Sequence, residues 1–309
     1  MNAGHKSLFQ KLGRKILAVS VFSLLVFVLS VSAGAQKKNF LWSVSDQSGV
    51  RLHILGSIHL AKENLYPLDP VIQEAFADSA GLVVEVNAEE MDQALMAKEL
   101  LIKGVYSDGG NLWDELDPPT AAQLRNALSG TILTEEAVSP MKPWLVGMTL
   151  EVQKLLALGY VEEMGLDRHF IRLARQRSLP VGELESAMEQ LEVLSSFSEG
   201  DGGLRYLQVT LIEIGGIEEG MEKLFKTWTS GDVKGFEDIY FSTFEERPEF
   251  FPILEKLIYR RNENMLRRLQ PYLADSASRT FVVVGAAHLV GPKGLLASLE
   301  AQGYKVEQR

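Results

Sequence analysis

Three features of the 309-residue chain predict an α/β fold of mixed α+β character, with a central, largely parallel sheet built from both chain ends and a large helical insertion. A strand, helix, strand series lies near the amino end, a second strand and helix unit closes the chain, and the stretch between them, about residues 88–272, reads mostly as helix. The first element is a β-hairpin: NFLWSVSD, a turn-prone QSG, then VRLHILGSIHL, closing over Asp46 to Gly49. Next, Tyr66-Pro67-Leu68-Asp69-Pro70 supplies an N-cap and a proline at the first helical position, opening a helix through VIQEAFADSA. GLVVEVN follows as a short strand, apolar except for Glu85, as in a parallel βαβ unit covered on both faces.

The helical middle has breaks at Gly104, SDGGN, Asp117-Pro118-Pro119, Ser139 to Pro143 and Gly159. LPVGELE interrupts it as a short strand ending on Glu185. RTFVVVGAAHL then reads as a buried strand, GPKG as a turn, GLLASLEAQG as a helix and YKVEQR as the last strand. Neither end alone has enough strands to bury its faces, so both are expected to meet in one sheet within a single domain over residues 36–309.

Ahead of that domain, Lys6, Lys11, Arg14 and Lys15 precede the apolar run Ile16 to Ala35, which ends in Ala33-Gly34-Ala35. A charged segment, an apolar segment and a small-residue site are the parts of a secretory signal peptide cut before Gln36. The other reading is an uncleaved membrane anchor, since about twenty apolar residues span a bilayer. Cleavage implies an exported protein, periplasmic or secreted; the second reading leaves it membrane-anchored. Loss of residues 1–35 takes the formal charge from −10 to −14, and an acidic chain without a long basic run is a poor ligand for nucleic acid. With no cysteine, thiol catalysis, thiolate metal sites and disulfides are excluded.

The chemistry is carried by residues at strand ends, where α/β sheets collect functional groups. LGSIHL and VGAAHL place His59 and His288 in matched G-x-x-H settings, and Glu85 and Glu185 fall at or near the ends of two further strands. Packing gives no reason to repeat that pattern twice. Two imidazoles with one or two carboxylates suit Zn, Mn, Co or Fe, whose bound water is acidified and which polarise a carbonyl while a spare carboxylate acts as base. Glu85, within a buried strand, requires a partner: a metal, a proton or a core arginine. Arg261 with Asn262 is placed to hold a substrate carbonyl or carboxylate, the alternative being that LIYRRNENMLRRL is a solvated helix face. His53 reads as a surface or cross-strand residue, His169 as structural, and Asp167 as an ordinary N-cap. No phosphate-cradling glycine loop, G-x-S-x-G elbow or H-E-x-x-H helix is present.

The ordered set LWSVSDQSGVRLHILGSIHL, GLVVEVN, MKPW, MGLDRHF, LPVGELESAMEQL, RRN and FVVVGAAHLVGPKG resembles the TraB/PrgY/GumN family in its exported bacterial branch, over nearly the whole chain beyond residue 35. That family is related to the Tiki proteins, described as metal-dependent proteases, and more distantly to erythromycin esterases and ChaN-like haem-associated proteins. The resemblance implies that His59 and His288 are the motif histidines, Glu85 the motif acid and Glu185 a further site carboxylate. It matches Lys142-Pro143-Trp144, Gly165 with Asp167, and Arg261 with Asn262 to recurrent positions that serve either site or fold. Ala287 stands where the family often has glycine.

The expectation is therefore an exported metal-dependent hydrolase acting on a peptide or small ester, with membrane contact only through an uncleaved N-terminal segment. In it, His59 and His288 ligate a divalent Mn, Co, Zn or Fe, while Glu85 and Glu185 act as ligand or base. Two alternatives remain open: a non-catalytic haem- or peptide-binding protein of the same fold, and a metal-free esterase using a histidine base oriented by Glu85.

Overall fold

The structure, a computed structural model, describes residues 38–309, so the Ile16 to Ala35 segment lies outside the described residues. Six strands form one sheet: β1 (Leu41–Asp46), β2 (Gly49–Ser57), β3 (Gly81–Val84), β4 (Val181–Glu183), β5 (Thr280–Gly285) and β6 (Lys305–Gln308). Their order across the sheet is β4-β3-β5-β2-β1-β6. Strands β4, β3, β5 and β2 are parallel neighbours, while β1 runs antiparallel to both β2 and β6. The mixed, mostly parallel sheet predicted from both chain ends is therefore present.

The position of β5 decides where the chemistry lies. It enters between β3 and β2, pairing Ser57 with Gly285 on one side and Val84 with Val283 on the other. Three strands thus finish side by side, and the residues that follow them share one crevice. Every residue of β5 is buried, as a central parallel strand covered on both faces requires. On one face, Phe281 of β5 meets Phe76 of α1 (Pro70–Ala77) at 5.4 Å and Phe170 at 4.8 Å between ring centroids.

Helix α1 starts as its sequence dictates: Asp69 accepts from the Val71 amide at 3.1 Å and Pro70 fills the first helical position. The insertion then supplies α2 (Gln93–Gly104), α3 (Pro118–Leu128), α4 (Pro143–Ala157), α5 (Leu166–Gln176), α6 (Ala187–Ser195), α7 (Gly202–Ile214), α8 (Ile217–Ser230), α9 (Val233–Tyr240) and α10 (Arg260–Ala274). Helix α11 (Leu295–Ala301) leads into β6. Part of the insertion has its own apolar core, with Leu124, Val146, Leu150 and Leu207 joining α3, α4 and α7. In the K-P-W stretch, Pro143 opens α4 and buried Trp144 donates its indole N–H to Ser198 Oγ at 2.9 Å, a role in the fold. Among the described residues no helix is long and apolar enough to cross a membrane.

The boundaries differ from the sequence reading at the residues that matter most. Strand β3 ends at Val84 and β4 at Glu183, so Glu85 and Glu185 stand beyond the strands. Backbone pairing continues past both ends, with Glu85 N–H donating to Val283 O at 3.0 Å and Glu185 N–H to Glu85 O at 2.9 Å. An apolar run marks where a strand lies but not the residue at which its ladder stops. After Gly285 the chain turns at once into a one-turn helix, Ala286–Leu289, which carries His288. His53 is buried, not at the surface, with Nδ1 bonded across the hairpin to Ser43 Oγ at 3.1 Å.

Candidate functional site

The ends of β2, β3 and β5 bring His59, Glu85 and His288 together. His59 Nε2 lies 3.6 Å from Glu85 Oε2, and His288 Nε2 lies 3.9 Å from Glu85 Oε1. Gly285 sits among all three: a Cβ there would stand 3.0 Å from His59 Nε2 and 3.3 Å from Glu85 Oε2, and its amide donates to Glu85 Oε2 at 3.0 Å. A side chain at Gly165 would overlap the His59 carbonyl, so that glycine lets the loop carrying His59 settle against the start of α5.

Each imidazole is oriented through its other nitrogen. Asp167 Oδ2 lies 2.9 Å from His59 Nδ1 and also accepts a hydrogen bond from Ser57 Oγ. Asn262 Oδ1 lies 2.6 Å from His288 Nδ1, while the Asn262 amide nitrogen donates to the carbonyls of His288 and Lys293 at 3.1 and 2.9 Å. Those two donations fix which end of the amide faces the ring. Because Oδ1 can only accept, His288 Nδ1 carries the proton and its Nε2 lone pair points toward Glu85.

The carboxylates are held by one guanidinium. Arg261, at the start of α10, donates Nη2–H to Glu85 Oε1 and to Glu185 Oε2 at 2.8 Å, Nε–H to Glu185 Oε2 at 2.9 Å, and Nη1–H to Leu257 O at 2.9 Å. Gln190 of α6 donates to Glu85 Oε1 at 2.8 Å and to Glu185 Oε2 at 3.4 Å. Burial alone would raise the pKa of Glu85, but His288, His59 and Arg261 together outweigh it and hold this carboxyl well below the usual range. Burial also disfavours a charged His59, yet the Asp167 and Glu85 carboxylates reverse that and raise its pKa to about 9. For His288 burial prevails, aided by Arg261 and His59 against Glu85, and the pKa falls to about 3. The cluster thus pairs a neutral histidine with a charged one around an ionised carboxylate.

The expected site residues therefore divide. His59, Glu85 and His288 converge, while Glu185 is committed to Arg261 and does not reach the imidazoles as a third ligand. The assignment of Asn262 to substrate is corrected: it is 3 % exposed and all its polar atoms are engaged in holding His288 and its loop. Arg261 does line the crevice, but as the counter-ion of two buried carboxylates, the core-arginine partner that Glu85 required. Asp167 is not the N-cap: Gly165 holds that position ahead of α5, with no side-chain cap, and Asp167 belongs to the site instead. Gln190 had no signal in the sequence, because a lone glutamine in a helix marks nothing.

Two imidazoles and a carboxylate are the donor types of a transition-metal site. Two imidazoles have their Nδ1 atoms held by oxygen acceptors, the usual outer partners of metal-binding histidines, and both Nε2 atoms face one carboxylate. The two imidazoles face different oxygens of Glu85, His59 the Oε2 and His288 the Oε1, and Oε1 already accepts from Arg261 and Gln190. Among the described residues, however, no group of three or more His, Asp or Glu side chains is placed to hold a metal ion.

Residues 40–308 match the TraB/PrgY/gumN family model. The uncharacterized protein YbaP of Escherichia coli (strain K12) is 25 % identical over 286 residues, covering 88 % of this chain and 97 % of its own length. YbaP of Shigella flexneri matches with the same identity and coverage. No solved structure matches the chain. A family match over almost all the described residues shows that the chain belongs to the TraB/PrgY/gumN family.

Proposed function

We propose that the protein is an exported, metal-dependent hydrolase of peptides or small esters, with its centre at His59, Glu85 and His288. The observation that carries this reading is the convergence of two imidazole Nε2 atoms on one carboxylate while Asp167 and Asn262 hold the opposite nitrogens. His59 and His288 would hold the ion, with Glu85 Oε2 as the oxygen donor. A bound Zn, Mn, Co or Fe supplies a polarising charge for a carbonyl and an acidified water.

The chain's own residues do the rest. Asn262 keeps the His288 Nε2 lone pair free, and Asp167 fixes the His59 ring at the crevice mouth. The depressed pKa of Glu85 suits a carboxylate that stays charged, hence a ligand more than a proton shuttle. Arg261 balances Glu85 and Glu185, so that a buried acidic pair is tolerated beside the imidazoles. The Ile16 to Ala35 segment supports placing the activity outside the cytoplasm.

The test is metal content by mass spectrometry after loading with Zn, Mn, Co or Fe and desalting. Near-stoichiometric metal is expected in the wild type and none in His59→Ala or His288→Ala, with circular dichroism unchanged. Full occupancy in the double variant would overturn the site. One observation favours a second, metal-free reading: Arg261 already neutralises Glu85, and Asp167 with His59 forms a ready acid–base pair. Ester cleavage that resists a chelator and is lost in Asp167→Asn would select it.

A further inference from the structure

The polar cluster is the floor of a pocket whose walls are apolar. Helix α8 carries Met221, Leu224, Phe225 and Trp228 at positions i, i+3, i+4 and i+7, one continuous face. Trp228 is buried and donates its indole N–H to Gly56 O at 2.7 Å, which fixes the helix over the end of β2. The other three are only half-buried, because they face a cavity of about 310 Å³ in place of protein. Across it stand Phe236 of α9 and Leu257 and Ile258 of the π-helical turn Glu255–Tyr259. The ionisable groups at the floor are His59, Glu85, Arg261 and His288, and the hydroxyl side chains of Ser57 and Tyr240 also line the pocket.

That volume is at the small end for ligand pockets, roughly 300–1,000 Å³. It accommodates one apolar body joined to one polar group that meets the cluster. A polar side chain against the Met221, Leu224, Phe225, Phe236, Leu257 and Ile258 surface would lose its water without gaining a partner.

We propose that this pocket selects acyl compounds by a large apolar side chain, of the leucine, methionine or phenylalanine kind, next to the carbonyl that meets the cluster. Calling that compound a substrate rests on the hydrolytic reading above; the binding preference does not.

The experiment titrates 3-phenylpropanoate and propanoate into the purified protein by calorimetry, and in parallel follows turnover of the 4-nitrophenyl esters of N-acetylphenylalanine and of acetate. Phenylpropanoate is expected to bind at least tenfold more tightly, since its ring removes a large apolar area from water. Leu224→Gln and Phe225→Gln, each checked for an unchanged melting temperature, should reduce that preference about tenfold. The preference without turnover of either ester supports the pocket and overturns the hydrolytic reading alone. Equal affinity for the two acids, or a preference that survives both substitutions, overturns the pocket even if esters are cleaved.

Discussion

Asp167 and Asn262 determine which nitrogen each site histidine presents, and they do so differently. Asp167 is an anion, so it favours a charged His59; Asn262 is neutral and leaves His288 uncharged. The sign of the pH dependence follows for the metal-free protein. The pKa of His59 rises from 6.5 to about 9 on folding, so its contribution to stability is full below pH 6.5 and is lost as pH rises toward 9. Half the ring is open to solvent, which limits the size of the effect. The pKa of His288 moves the other way, so its neutral burial weakens the fold as pH falls from 6.5 toward 3. Proton NMR titration of the two rings should place His59 well above and His288 well below 6.5, and Asp167→Asn should return His59 toward 6.5. Asn262→Ala removes the acceptor for His288 and leaves two carbonyls without their donor. It should lower metal affinity about 10–100-fold and destabilise the protein by about 1–3 kcal/mol in urea unfolding.

At the scale of elements, the site depends on where β5 lies and on how its end turns. Gly285→Ala should leave the sheet intact, because its φ is ordinary, yet press on His59 and Glu85 from 3.0 and 3.3 Å. The expected outcome is a near-native melting temperature with at least a tenfold loss of metal affinity; an unchanged affinity would show that the imidazoles have slack. Trp228→Phe should free α8 from Gly56 O and lower stability by about 1–3 kcal/mol, measured by thermal unfolding. Much of this arrangement was legible in the sequence, for physical reasons. The hairpin has period-two alternation and a turn, α1 has its cap and proline, and β5 is a continuous apolar run, so local rules place them. Paired G-x-x-H motifs named the two histidines, and an acid after LVV named Glu85. The family resemblance marked Asp167 as serving either site or fold, but its residues alone read as an N-cap, because an acid in the first helical turn is ordinary. Asn262 and Arg261 sit in a polar helix whose sequence does not reveal which face the tertiary fold will bury.

Across the whole molecule, one arginine ties together four separate stretches of chain. Arg261 of α10 bonds Glu85 after β3 and Glu185 after β4, both residues bond Gln190 or each other's backbone, and Glu85 in turn accepts from Gly285 after β5. Both carboxylates are about 4 % exposed, so removing their counter-ion leaves two buried acids uncompensated. Arg261→Leu should therefore destabilise the metal-free protein by about 3–5 kcal/mol in urea unfolding. Combining it with Glu185→Leu should recover part of that loss, because one acid is removed with its partner. A divalent ion bound at the same carboxylate would supply positive charge that the variant lacks. Metal should then raise the midpoint of unfolding of Arg261→Leu by more than it raises that of the wild type, beyond the mass-action gain expected for a shared affinity. A loss below 0.5 kcal/mol for Arg261→Leu, with equal metal shifts in both proteins, would instead release Arg261 from the fold and return it to the role of holding a substrate carboxylate.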